Sequence, residues 1–457
     1  MRVLLASAEL SPLVKAGGLG DAVAGLRGAL IRAGLDVETV IPDYRGWRLD
    51  KSEPQPLDVP EWAAPASAHR GRMADGSRLT LIDVPEIRRP HPYDDTEGHA
   101  FPDNDQRFMA FAAAVAALAE MDPPDILHLN DWHTGPILGF LDEPPPSILT
   151  IHNLAYQGRI NGGWLDDLPH RADAYEWFGD LNPLSGAIAL ADRVTTVSPT
   201  FASEIVVDGN GFGLEEPLRN RGSALVGILN GLDTEVWNPA NDRLLDHSFG
   251  LGQLDGKAHL RAELVDRLGW HLDGPLISMV TRITDQKGID IALSVVPYLD
   301  GIGARFALLG SGDAALAAEA RALATAHADR FTFLEGYDEQ MAHLLFAGAD
   351  LYLMPSRFEP CGLTQMQAMR YGTIPVTSAV GGLVDTVVDD DLSRGHGTGF
   401  LAHDVSPTGL VDALHRAVRA WRSPRRRSGI QRRGMTIDWS WDVAAREYLA
   451  LYESLTQ

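Results

Sequence analysis

The chain has a single cysteine, Cys361, in 457 residues. An intrachain disulfide is excluded, and so is a zinc site built on cysteines, which fits a reducing cytoplasm. Long hydrophobic runs are missing as well. The longest strongly apolar segment, Phe108 to Ala119, falls well short of the roughly 20 residues that span a bilayer and reads as a buried, Ala-rich helix. The opening M-R-V-L-L-A-S-A-E-L has a very short apolar run followed by glycines, so it reads as a first buried strand rather than a signal segment. Positive charge is scarce: 39 Lys and Arg against 62 Asp and Glu leave a net charge of -23. That balance argues against nucleic acid or an anionic membrane as partner. An anionic substrate would have to be held by locally placed cations and helix ends.

Familiar catalytic signatures are missing too. K-A-G-G-L-G-D from Lys15 to Asp21 is not the dinucleotide fingerprint, because Val23 stands where a further glycine is needed. Gly256-Lys257 is no Walker A loop, since Leu251 occupies the required glycine position and Ala258 follows the lysine. There is no G-x-S-x-G, and Cys361 lies near a carboxylate that would raise its pKa. His128, Asp131, His133 and His152 cluster at two strand ends without metal-ligand spacing, and read as polar groups that hydrogen-bond a sugar. Asp389-Asp390-Asp391 formally satisfies a D-x-D pattern, but in an acidic loop it reads as solvated. The Arg-rich stretch from Arg416 to Arg433 reads as a solvated helix and loop. No metal and no cofactor is expected.

What is present is a regular alternation. Short Val/Ile/Leu runs separated by helical stretches predict parallel strands with helical crossovers. Seven fall in the first half: Val3 to Glu9, Glu38 to Tyr44, Leu79 to Pro85, Asp125 to Asp131, Ser147 to Asn153, Arg193 to Pro199 and Leu225 to Gly231. Six follow: Leu276 to Ile283, Arg305 to Gly312, Phe331 to Tyr337, Ala349 to Met354, Ile374 to Ala379 and Gly399 to Ala402. Arg45 to Ser77 and Pro85 to Asp105 read as excursions, and Asn238 to Gly256 as a turn-rich boundary. The reading is an α/β protein of two domains, 1–245 and 246–435, with a last segment, 436–457, whose helix Trp439 to Leu455 packs back on the first.

Most of the strands end in polar clusters, where a doubly wound sheet binds its ligands. Lys15 to Asp21 lies between the first strand and a helix, and Arg282 and Lys287 in T-R-I-T-D-Q-K-G follow a strand and can bracket a diphosphate. Pro355 to Gly382 brings Arg357 and Glu359 to a Pro-Cys-Gly turn at a helix start. A carboxylate, several cations and many hydroxyl contacts, with no metal or thiolate, suit glycosyl transfer from a nucleotide diphosphate sugar.

Seven motifs in order, K-A-G-G-L-G-D at Lys15, L-N-D-W-H-T-G at Leu129, T-I-H-N-L-A-Y-Q-G at Thr150, V-S-P-T-F-A-S-E-I at Val197, L-N-G-L-D at Leu229, S-M-V-T-R-I-T-D-Q-K-G at Ser278 and S-R-F-E-P-C-G-L-T-Q at Ser356, resemble the bacterial glycogen synthase and plant starch synthase family over nearly the whole chain. The resemblance implies a GT-B architecture: two doubly wound, Rossmann-like parallel-sheet domains facing a deep cleft and closing on substrate. It implies metal-independent, retaining transfer of glucose from ADP-glucose, or less often UDP-glucose, to the non-reducing 4-OH of an α-1,4-glucan such as glycogen. By the same resemblance Arg282 and Lys287 grip the diphosphate, and Lys15 and Gly18 act on phosphate and sugar from the other domain. Tyr337 stacks on adenine, while Asn230, Asp131 and Asn153 line the sugar and acceptor region. Glu359 and the turn Cys361, Gly362, Leu363 and Thr364 hold the glucose hydroxyls. His152 sits at the reacting face, and Glu9, Asp21 and Tyr93 face the acceptor.

The chain departs from the family pattern at Ala16, usually threonine, and at Thr281, commonly serine. Gln367 stands where related retaining transferases carry a second glutamate, which favours the synthase group. With no second carboxylate placed for a double displacement, front-face attack within an ion pair is the expected course. A GT-B transferase with another acceptor, or a non-catalytic glucan- or nucleotide-binding regulator, are the alternatives.

Overall fold

The computed structural model describes residues 1–47, 49, 53–95, 98–271 and 273–456; parts of the two expected excursions lie outside them. The chain divides into two compact units, one of 1–231 with 441–457, the other of 232–440. The turn-rich segment expected at the boundary packs on the second unit, where Phe249 is part of a buried core and Trp237 lies against it.

The first unit is built on a nine-stranded sheet. In chain order its strands are β1 (Arg2–Ala6), β2 (Asp36–Pro42), β3 (Gln55–Pro56), β4 (Ser67–Arg72), β5 (Arg78–Asp83), β6 (Ile126–Asn130) and β7 (Ser147–Ile151). After a small three-stranded sheet of β8 (Ile160–Asn161), β9 (Glu176–Trp177) and β10 (Asp180–Leu181) come β11 (Arg193–Thr196) and β12 (Leu225–Gly227). The large sheet runs β12-β11-β7-β6-β1-β2-β5-β4-β3. It is parallel from β12 to β5; β4 runs antiparallel to β5, and β3 to β4. The segment 45–77, expected as a pure excursion, thus contributes an antiparallel edge. Its polar S-A-H-R-G-R has a half-exposed strand's pattern and carries no apolar run.

Strands β6 and β7 are buried at every position, as parallel strands covered on both faces must be. The Ala-rich helix Asn104–Met121 is buried along most of its length. The helix Trp441–Thr456 belongs to this unit and lies against the helix Gly18–Arg32. Gly25 makes that approach possible: a Cβ there would come within 2.0 Å of the Trp441 ring. Further along, the Tyr452 hydroxyl meets His128 Nδ1 at 2.7 Å, and His128 Nε2 meets Thr150 Oγ1 at 2.6 Å.

The second unit carries a six-stranded parallel sheet of β13 (Leu276–Val280), β14 (Arg305–Gly310), β15 (Phe331–Glu335), β16 (Leu351–Met354), β17 (Ile374–Ser378) and β18 (Phe400–Ala402). Its order is β15-β14-β13-β16-β17-β18, with cores on both faces. In each unit the strand order reverses once near the middle, beside β1 and β6 in the first and between β13 and β16 in the second. Such reversals open a crevice at the carboxyl ends of the strands, where open α/β sheets bind ligands.

Asp389 and Asp390 overturn the solvated reading of the acidic loop, while the Arg-rich stretch keeps it at Arg419, Arg422, Arg425 and Arg432, which are exposed. Asp389 and Asp390 are buried. Arg416 Nη1 donates to Asp389 Oδ2 at 2.8 Å, and Arg426 and Arg433 hold the two oxygens of Asp390 at 2.6 and 2.7 Å. Taken alone, each charge run reads as solvated; the fold pairs Asp389 and Asp390 with Arg416, Arg426 and Arg433 and buries these two carboxylates as paired ions.

Candidate active site

At the first reversal, β1 runs into Ser7 to Leu10. Glu9 is buried, and its Oε2 accepts from the backbone N–H groups of Ala16 at 2.7 Å and Gly17 at 3.1 Å. Its Oε1 accepts from the Tyr93 hydroxyl at 2.8 Å. Desolvation and the neighbouring carboxylate push the Tyr93 phenol well above its ordinary pKa, so it stays a donor. Glu9 therefore ties the loop ahead of the helix Gly18–Arg32. Lys15 and Asp21 flank that helix start and pair with each other at 2.6 Å, both partly exposed. Neither crowding nor a left-handed φ demands glycine at 17 or 18, since a Cβ would find nothing within 4 Å at either.

Beside it, β6 ends at Asn130 and Asp131. Asp131 adopts a left-handed φ of 56°, a strained conformation for a residue with a Cβ. Its Oδ1 accepts the His152 backbone N–H at 2.7 Å, and the Asn153 N–H also bonds the carboxylate. Burial nevertheless pushes the Asp131 carboxyl up to about 7. Asn130 Nδ2 donates to Ala6 O at 2.9 Å, which leaves its Oδ1 to accept from His152 Nε2 at 2.9 Å. Burial brings the His152 imidazole down to about 4, so the ring is neutral at pH 7 and offers Nδ1 as an acceptor. Asn153 Oδ1 caps its own turn through Ala155 N–H, and Asn230, half-buried after β12, makes no hydrogen bond to these residues among those described.

His128 and His133 do not join the sugar-facing group that the sequence predicted. His128 is locked between Tyr452 and Thr150, and His133 is stacked on Trp132 at 4.0 Å and on Tyr93 at 5.0 Å. Burial brings both imidazoles down to about 3. Alternation along β6 sends His128 under the sheet, a consequence that proximity in sequence hides.

At the second reversal, Arg282 and Lys287 follow β13 and Glu359 follows β16. Lys287 Nζ donates to Glu359 Oε2 at 2.6 Å, and Ser356 Oγ donates to the same oxygen at 3.0 Å. Glu359 is buried, yet its Oε1 accepts no hydrogen bond among the described residues and two Lys287 protons remain uncommitted. Gly288, at a φ of 63°, lets the two loops meet: a Cβ there would lie 2.0 Å from Pro355 O. Arg282 is exposed and forms no ion pair among the described residues. Arg357 is spent on Asp290, at 2.8 and 2.7 Å.

Cys361, Gly362, Leu363 and Thr364 lead into the helix Thr364–Arg370. Gln365 Nε2 donates to the carbonyls of Cys361 and Gly362 and to Thr386 Oγ1, and Gly382 N–H donates to Glu359 O at 3.0 Å, so the turn is fixed from behind. Tyr337, 72% exposed, follows β15. Sequence reasoning did not single out Asn130 or Ser356. Both stood in quoted strand-end motifs, and the rule that such residues gather at one edge would have included them.

The family profile described as starch synthase catalytic domain matches residues 2–220, and that of glycosyl transferases group 1 matches residues 261–433. A glycogen synthase from Acidiphilium cryptum is 40% identical over the whole of both chains, as is one from Thioalkalivibrio sulfidiphilus. Among solved structures, the catalytic domain of starch synthase IV from Arabidopsis thaliana, bound to ADP and acarbose, superposes with a TM-score of 0.86 at 31% identity, covering 100% of this chain and 99% of that one. A sucrose-phosphate synthase from Thermosynechococcus elongatus, 20% identical with a TM-score of 0.65, shares the fold. With relatives matched end to end at this identity, the chain belongs to the glycogen synthase family of glycosyltransferases.

Proposed function

We propose that the protein elongates an α-1,4-glucan such as glycogen, transferring glucose from ADP-glucose to the non-reducing 4-OH with retention and without a metal. The observation that carries this reading is the Lys287–Glu359 pair at the second reversal, with one carboxylate oxygen and two ammonium protons uncommitted. A group that offers an acceptor to sugar hydroxyls beside donors for a phosphate suits a nucleotide sugar.

Arg282 and Lys287 take the diphosphate and stabilise the charge that develops as ADP departs. Glu359 and the turn from Cys361 through Gly362 and Leu363 to Thr364 hold the glucose hydroxyls, and Tyr337 stacks on the adenine. Lys15 and the backbone at Gly18 serve phosphate and sugar, with glycines leaving room for the ligand. His152, neutral and oriented by Asn130 and Asp131, serves the reacting face through its carbonyl and ring. Asp131, Asn153 and Asn230 line the acceptor region, while Glu9, Asp21 and Tyr93 shape it. The acceptor 4-OH attacks C1 from the face that ADP leaves, and its proton passes to the departing phosphate oxygen. The reaction is placed in the cytoplasm, a compartment that suits a chain with a single cysteine.

Incubating the protein with glycogen and ADP-[14C]glucose or UDP-[14C]glucose, with EDTA present, tests the reading. Label should enter polymer faster from the ADP donor and be insensitive to EDTA. No incorporation from either donor would end the synthase reading, and abolition by EDTA would end its metal independence.

A further inference from the structure

The two loops that meet at the second reversal are placed by little of the sheet. Strand β13 ends at Val280, well before Lys287, and β16 ends at Met354, before Glu359. The ladder between these strands pairs Ile277 with Leu351 and Ser278 with Tyr352, short of both loops. Yet Lys287 Nζ and Glu359 Oε2 lie 2.6 Å apart, and a misplacement of about 1 Å at a reacting group can cost 10²-fold in rate. Their own hydrogen bond cannot hold that separation throughout. An ammonium that turns to a phosphate loosens its grip on the carboxylate, so the register has to come from elsewhere.

Arg357, between the end of β16 and Glu359, is bonded to the other loop on both sides of Lys287. Ahead of that lysine, the Arg357 backbone N–H donates to Gln286 O at 2.8 Å and Nη1 donates to Asp285 O at 2.9 Å. Beyond it, Asp290 accepts Nη1 on Oδ1 at 2.8 Å and Nη2 on Oδ2 at 2.7 Å, a forked pair that a lysine cannot make. Gln286 Nε2 returns a longer bond, 3.4 Å, to Phe358 O. The hydrogen bonds from Arg357 hold the Asp290 carboxyl below its ordinary range, so the pair stays charged through neutral pH.

A guanidinium beside this turn could instead serve as a phosphate ligand, but its charge is already matched. Asp290 takes the fork and Asp285 Oδ1 lies 3.3 Å from the same Nη1, so Arg357 brings no unmatched cation to an anion. Nor does the pair add much to the fold. Its side chains are 34% and 43% exposed, where an ion pair contributes little stability. Fixed geometry with little gain in stability, wrapped around the one residue that must be placed, is the mark of a positioning device. Resting on the reading of this crevice as a nucleotide-sugar site, we propose that Arg357, paired with Asp290, is a positioning residue that keeps Lys287 in register with Glu359 while Lys287 engages the diphosphate.

The test is a double-mutant cycle in the full chain, read by turnover with ADP-glucose and glycogen and by ADP binding in calorimetry. Arg357→Ala should lower kcat about 10- to 100-fold and weaken ADP binding roughly five- to tenfold. The melting temperature should move by no more than about 4 °C, as expected for a partly exposed pair. In a Lys287→Ala background the same change should lower kcat and ADP affinity by less than about twofold, because the residue to be placed is gone. Asp290→Asn, which keeps the side chain's shape, should show the same dependence on Lys287. Equal fold losses with and without Lys287 would overturn the proposal, since such a loss is general loosening of the loops. Full activity in Arg357→Lys would overturn it as well, because a point charge would then suffice. A wild-type chain whose ADP affinity shows the coupling but which transfers no glucose would support the positioning role and end the synthase reading.

Discussion

At the crevice of the first unit the carboxylates are buried and engaged: Glu9 holds two loop amides and a tyrosine hydroxyl, and Asp131 holds the amides of the His152 turn. At the crevice of the second unit Arg282 is exposed, and Lys287 and Glu359 each keep capacity in reserve. Charge that is fully hydrogen-bonded to its own backbone fixes geometry; charge that is left uncommitted can meet a ligand. By this contrast the first crevice is suited to orienting neutral hydroxyls and the second to gripping a diphosphate.

The largest effect should come from the second crevice. Glu359→Gln keeps an acceptor for Lys287 and should keep the fold, but turnover should fall about 10²- to 10³-fold while ADP binding by calorimetry stays within a few fold. Activity within threefold of wild type would refute its role in holding glucose.

The next effect separates the units by pH. His128, His133 and His152 are held neutral down to about 3, 3 and 4, so between pH 6.5 and 4 the unfolded chain binds three protons that the folded first unit refuses. Stability therefore falls as pH falls through that window. Asp131, raised to about 7, works the opposite way and cancels one proton, with Glu447 adding to it. The net of at most two protons corresponds to at most about 2.7 kcal/mol per pH unit. In the second unit Lys257, lowered to about 7, sets a slope above that pH, and the carboxylates of Asp242, Asp290 and Asp391, held below their ordinary range, lose their contribution only near and below 3.8. Hydrogen exchange corrected for intrinsic rates should show 126–151 losing protection on acidification from 6.5 to 4.5 before 276–310 does. Parallel loss would contradict this difference between the units.

Smaller effects sharpen the same contrast. Arg282→Ala should weaken ADP binding by about 1.5–3 kcal/mol, the worth of hydrogen bonds to a charged group, with an unchanged melting temperature because the side chain is exposed. Tyr93→Phe should do the reverse, costing about 1 kcal/mol of stability with little change in ADP affinity. Asp21→Asn breaks a partly exposed pair and should shift stability by less than about 1 kcal/mol.

Much of this was legible in the sequence, because buried parallel strands are written as apolar runs and their ends as polar clusters. All thirteen expected runs overlap a strand of the two large sheets, and the last helix lies within two residues of where it was expected; the helix after Lys15 begins at Gly18, so Gly18 to Asp21, expected ahead of it, form its first turn. Strand β4 escaped because an edge strand needs no apolar run. Pairing escaped more generally: Asp390 finds Arg426 and Arg433, and His128 finds Tyr452, across sequence separations that no local pattern encodes. The motifs identified Glu9 and Asp131 as polar strand ends, while their engagement with backbone amides appears only in three dimensions.

The measurement that tests the central claim most directly follows [1-13C]glucose from ADP-glucose into maltoheptaose by NMR. The account predicts ADP release matched one for one by a new α-1,4-linked labelled residue at the non-reducing end. A β-linked product, or ADP release accompanied only by free labelled glucose, would contradict it.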